Sequence, residues 1–180
     1  MARAKAYTRR MRTAAANSNI RPPASPRRRT PGRLIASVAG VLVVVSLVNG
    51  LIFALGWAGP ETGVAGQQRP LLPPGWAIGA VWTALLAALA TAHWWLAGIA
   101  GDDARRASHW LAALIAFCIA YPFYTLGFSA PRLVLAGNVA TVAFAALLTG
   151  RLTPLSPLAA ALTAPTVAWA AFATYASAAP

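Results

Sequence analysis

The sequence predicts an all-α membrane protein: a five-transmembrane-helix bundle with a disordered basic N-terminal tail. Three observations predict it. Of 180 residues, 58% are hydrophobic and only 10% charged, against roughly 25% charged in an ordinary globular domain, and the mean hydropathy is +0.60. The charge is crowded into one end, with ten of the 15 Lys and Arg residues before residue 34. Beyond that point, apolar runs of about 20 residues, each long enough to cross a hydrocarbon core, alternate with short segments rich in Gly, Pro and charge.

Residues 1–33 combine those ten cations with Pro22, Pro23, Pro26 and Pro31 and show no apolar periodicity. Such a segment cannot bury a core and is expected to be disordered. A net charge of +12 spread over one folded face would point to nucleic acid. Confined to a tail beside an apolar run, it reads as a topology signal with a secondary attraction to anionic lipid of about 1 kcal/mol per charge. No nucleic-acid partner is expected.

The first span, 34–56, is uncharged throughout. A basic region before an apolar run is also the pattern of a signal peptide, with Ala54 and Gly56 as small residues near a cleavage site, but this run is too long for a typical signal core. Residues 58–75 form a long loop containing Glu61 and Arg69. It ends in RPLLPPGW, where Pro73 and Pro74 close a rigid segment and tolerate a first helical turn. The second span, 76–97, contains Trp82, His93, Trp94 and Trp95; a polar turn at 98–106 holds Asp102, Asp103, Arg105 and Arg106. The third span, 107–128, carries Pro122, where a kink or an early end is expected. The fourth, 133–149, is the shortest, with Asn138 its only strongly polar side chain. The fifth, 157–178, carries Pro165, Trp169, Phe172 and Tyr175. Residues 34–180 thus form one membrane domain.

With the N-terminus inside, thirteen Lys and Arg residues fall on the inner segments and only Arg69 and Arg132 on the outer ones. The positive-inside rule therefore places the N-terminus in the cytoplasm and the C-terminus outside, in what reads as a bacterial cell membrane. The lipid bilayer is the first partner.

Catalysis needs titratable groups where substrate can meet them, and the spans hold no carboxylate. No catalytic residue and no enzymatic activity are expected. Metal-ligand spacings such as HExxH or CxxC are absent, His93 and His109 sit at the ends of their spans, and the single Cys118 lies in an apolar run, so no metal site is expected. Ser37, Ser46, Thr83, Thr91 and Thr141 read as helix-to-helix contacts. What the spans offer is aromatic surface: Trp76, Trp82, Trp110, Tyr121, Phe123, Tyr124, Trp169 and Phe172. Rings of this kind either pack a bundle or wall a pocket for a flat apolar ligand.

Two motifs add to this. PPGWAIGAVWTALL, residues 73–86, resembles the second-helix pattern PPxWxFxxVWxxLY of the tryptophan-rich sensory protein or translocator protein family, also called the peripheral-type benzodiazepine receptor family. PTVAWAAFATYAS, residues 165–177, resembles its last-helix pattern PYxxWxxFAxxLN. The chain departs from these patterns at Ile78, Gly79, Leu86, Thr166 and Ser177, which removes polar groups from the implied pocket.

The resemblance implies a five-helix bundle that binds porphyrins, haem-like tetrapyrroles and, in some members, sterols, often as a homodimer, with no required cofactor. It further implies a receptor with a regulatory or transport-related role. Carried over by motif, Trp82 and Leu86 would line the pocket from the second helix and Trp169, Phe172 and Ala173 from the fifth. Trp76 would mark the mouth, and Arg69, Pro70, Pro73 and Pro74 would form a lid. The alternative is a small packing or assembly subunit without a ligand.

The orientation has a direct check. In a Cys118→Ser background in intact cells, a membrane-impermeant maleimide should label Gln67→Cys and leave Lys5→Cys unlabelled; the reverse pattern contradicts the assignment.

Overall fold

The structure is a computed structural model that describes residues 30–57, 73–126 and 131–178. The described residues form five α-helices: α1 (Pro31–Ala54), α2 (Gly75–Ala97), α3 (Asp102–Leu126), α4 (Pro131–Leu152) and α5 (Pro157–Ala178). All five are long and apolar enough to span a membrane. At 1.5 Å per residue, 22–25 residues give roughly 33–38 Å, and a helix satisfies its backbone internally where no water is present. The tail before residue 30 and the lid positions Arg69 and Pro70 lie outside the described residues.

Helix starts follow local chemistry. Proline opens α1, α4 and α5, where its missing N–H has no partner to lose. Pro74 precedes α2, and its carbonyl accepts from the N–H groups of Ala77 and Ile78 at 2.9 and 3.1 Å. Gly56, at φ 69°, follows the end of α1 in the left-handed conformation that favours glycine.

Three sequence expectations need adjustment. The third helix starts at Asp102 rather than 107, because Asp102 and Asp103 suit the positive end of a helix dipole, and Asp102 pairs with Arg105 one turn on. The same helix runs past Pro122 to Leu126 rather than ending at the proline. The fourth helix reaches from Pro131 to Leu152, as long as the fifth, with Arg151 in its last turn complementing the dipole.

Helices α2, α3, α4 and α5 close a ring in which each packs on the next and α5 returns to α2; the tightest pair is α4 with α5. Helix α1 lies outside this ring against α2, with a slighter contact to α3. It buries only Ile52, and the hydroxyl of Ser37 reaches the Ala90 carbonyl of α2 at 3.5 Å. Its other face is mainly apolar, as a surface bathed in lipid should be, with Ser46 and Asn49 also exposed on the helix.

The ring is not uniform along its length. Its apolar core is built from Leu86, Leu89, Ala92 and Leu96 of α2, Ala107, Leu111, Leu114 and Cys118 of α3, Ala145, Leu148 and Leu152 of α4, and Ala159 and Ala160 of α5. On α2, α4 and α5 these residues lie toward one end, the end at which α1 begins. Four of the five cations among the described residues, Arg33, Arg105, Arg106 and Arg151, mark that same end. From mid-bundle to the opposite, far end the buried side chains include Thr125, Asn138, Thr141 and Thr166.

One close approach fixes α3 against α4. A Cβ at Gly137 would stand 2.7 Å from Tyr124 Cε2 and 3.3 Å from Tyr121 Cε2, so only a glycine lets both tyrosine rings lie on α4. Gly137→Ala should therefore destabilise the fold by about 1–3 kcal/mol, the usual cost of overpacking. Thermal unfolding in one detergent checks this, and the loss should shrink when Tyr124 is already alanine.

Candidate ligand-binding site

In the far half of the ring aromatic and neutral-polar side chains gather beside the buried Val134, Ala170 and Ala176. Trp82 of α2, on the core face that also buries Leu86, meets Tyr121 of α3 with ring centroids 5.8 Å apart and a 32° tilt. Tyr121 in turn meets Tyr124 edge-on at 5.5 Å. On α5, Trp169 stacks with Phe172 at 5.5 Å. These rings belong to three helices, and all but the exposed Phe172 are half-buried.

Polar groups tie the same region together. The Tyr121 hydroxyl donates to Asn138 Oδ1 at 2.7 Å, and Asn138 Nδ2 donates to Ser177 Oγ at 3.4 Å. One buried amide of α4 thus joins α3 and α5 near their far ends. A side-chain hydrogen bond between membrane helices contributes about 0.6 kcal/mol on average. The serine and threonine expectation is corrected in part: Thr83, Thr91 and Thr141 donate to the carbonyl four residues back in their own helix, Ser46 is exposed, and Ser37 does reach a neighbour.

Four buried polar atoms find no hydrogen-bond partner among the described residues: Trp169 Nε1, Thr166 Oγ1, Tyr124 Oη and, toward the other end, Trp94 Nε1. An unpaired buried donor costs roughly 1–3 kcal/mol, so each asks what it is for. Three of the four lie between mid-bundle and the far end.

The model of the TspO/MBR family matches residues 40–179, which takes in all of α2 to α5 and most of α1. The chain belongs to the TspO/MBR family. No curated protein and no solved structure matches it. TspO/MBR membership carries a membrane binding or transport role, and the five spans make this member an integral, multi-pass membrane protein.

The residues that the two TspO/MBR motifs single out do not share one setting. Trp82 and Leu86 share one face of α2, yet Leu86 is 3% exposed and lies in the apolar core, whereas Trp82 sits at that core's edge against Tyr121. Trp169 and Ala173, one turn apart on α5, are both half-buried. Phe172 lies off the buried face at 38% exposure and reaches the site only through Trp169, and Trp76 is 79% exposed at the start of α2. Pro73 is half-buried and Pro74 exposed beside it.

Sequence reasoning did not bring together Tyr121, Asn138 and Ser177, nor single out Gly137 and Tyr124 beside them or the buried Thr166 at mid-bundle. A signal existed for Asn138, the lone amide of its span. His93 is half-buried and His109 exposed, and no group of three or more His, Cys, Asp or Glu side chains gathers among the described residues.

Proposed function

We propose that this protein is a binding protein for tetrapyrroles, porphyrin or haem-like, or for similarly flat apolar molecules, held in the far half of the bundle, with a regulatory or transport-related role and no enzymatic step. The single observation that carries the reading is the Trp169 indole N–H, buried inside a membrane bundle with no acceptor among the described residues. A donor in that position is stabilised when a guest supplies the acceptor. The partly buried rings of Trp82, Tyr121, Tyr124 and Trp169 supply flat, polarisable walls of the kind that planar ligands use.

The described acidic residues, Asp102 and Asp103, are exposed at the end where α1 begins, away from this region, which supports binding rather than general acid–base chemistry. The charge distribution supports a cytoplasmic N-terminus, with the site opening toward the outer face. A second reading, a ligand-free packing subunit, draws support from Leu86, which the core consumes entirely.

The two readings separate in a titration. Protoporphyrin added to the purified protein should quench tryptophan fluorescence saturably, and Trp169→Ala should weaken binding by about tenfold, the loss of one stacking partner. Unchanged affinity in the variant removes Trp169 from the site, and absence of saturable binding favours the packing subunit.

A further inference from the structure

Thr166 behaves unlike its peers. Thr83, Thr91, Thr125, Thr141, Thr149, Thr163 and Thr174 all donate to the carbonyl four residues back, at 2.7–2.8 Å, the bond by which a hydroxyl satisfies itself in a membrane helix. Thr166 is 0% exposed and makes no such bond. It lies in the middle of the buried face of α5: Ala161, Ala164, Pro165, Ala168, Ala171 and Tyr175, which cover the opposite side, are all exposed. Trp169, three residues on, stands over the next turn on the same side of the helix, and its Nε1 is likewise buried and unpartnered. Two adjacent unpaired donors therefore lie near mid-bundle, about 14–18 Å from the far end of α5 at 1.5 Å per residue.

An indole N–H can only donate, so the complementary group is an acceptor. A carboxylate is the strongest acceptor, but burying one requires a cation. Helix α5 contains no charged residue, and the cations of the described helices, Arg33, Arg105, Arg106, Arg132 and Arg151, are all exposed and lie at the helix ends. The acceptor that fits is uncharged.

Resting on the binding reading above, we infer that Thr166 and Trp169 form a specificity site that reads an uncharged oxygen acceptor, a formyl, ketone or lactam carbonyl, on the inward edge of a flat apolar ligand. A planar ligand with only hydrocarbon on that edge leaves both donors unpaired; one bearing a carbonyl satisfies them. The site thus ranks ligands by the polarity of their buried edge.

The test uses the full-length protein in detergent and two porphyrins that share the ring and both propionates: mesoporphyrin, with ethyl groups on two ring positions, and diformyldeuteroporphyrin, with formyl groups there. Affinity is read from the porphyrin absorbance band. The diformyl compound should bind the native protein about tenfold more tightly, a factor of ten corresponding to 1.4 kcal/mol and within reach of two hydrogen bonds. Thr166→Val, which keeps shape and branching and removes the hydroxyl, should bring the two affinities to within about threefold, with a thermal unfolding midpoint close to the native protein's showing that the variant folds. Thr166→Ser should retain the preference. Equal binding of the two porphyrins by the native protein, or a preference that survives Thr166→Val, overturns the specificity site and leaves the binding reading standing. Failure of both porphyrins to bind overturns both.

Discussion

Inside a bilayer a polar group has no water to turn to, so every donor and acceptor that enters the hydrocarbon must find its partner within the bundle. The described part of this protein is shaped by that constraint. Its backbone is wound into five helices, and seven threonines fold their hydroxyls back onto their own helices. The one amide it buries in the ring, Asn138, is bonded at both its oxygen and its nitrogen, to Tyr121 and Ser177. Against so consistent a pattern, the unpartnered donors of Thr166, Trp169 and Tyr124 are informative because they are exceptions. Natural structures leave such groups unpaired rarely, and often where something else binds.

The ring of α2 to α5 separates two tasks along its length. Toward the end at which α1 begins, leucines and alanines fill the space between helices at full burial, which gives the bundle its rigidity. Toward the far end the same helices present aromatic rings and neutral polar atoms, and Gly137 lets Tyr121 and Tyr124 rest on α4 while the Asn138 amide ties α3 and α5 together. Helix α1, largely apolar on its outward face and packed on α2 with only a slight contact to α3, contributes mainly contact with lipid.

Much of this fold is legible in the sequence because hydropathy is a local signal: each span declares itself within about 20 residues. The boundaries that moved did so where charge was read as loop. Asp102 and Asp103 stabilise the start of α3 and Arg151 the end of α4, so these residues belong to helices. Trp82 and Trp169 are singled out in the sequence only by the two motifs that resemble the family's patterns. The polar tie was not, because its members are 17 and 39 residues apart and nothing local links them. Gly137 gains its meaning only from the tyrosines that pack on it, and Thr166 stands out only by a bond it lacks. Neither property is written in the residue's own neighbourhood.

The proposed site would hold a flat ligand in the far half of the ring while the leucine core stays closed. Methyl NMR of the protein in nanodiscs during a protoporphyrin titration tests it directly, because the porphyrin ring current shifts methyl groups that lie close to it. Saturable shifts are expected for Thr141, Thr166 and Ala173, with Leu111, Leu148 and Leu152 unmoved. Shifts centred on those leucines, or confined to the outward methyls of α1, would contradict it.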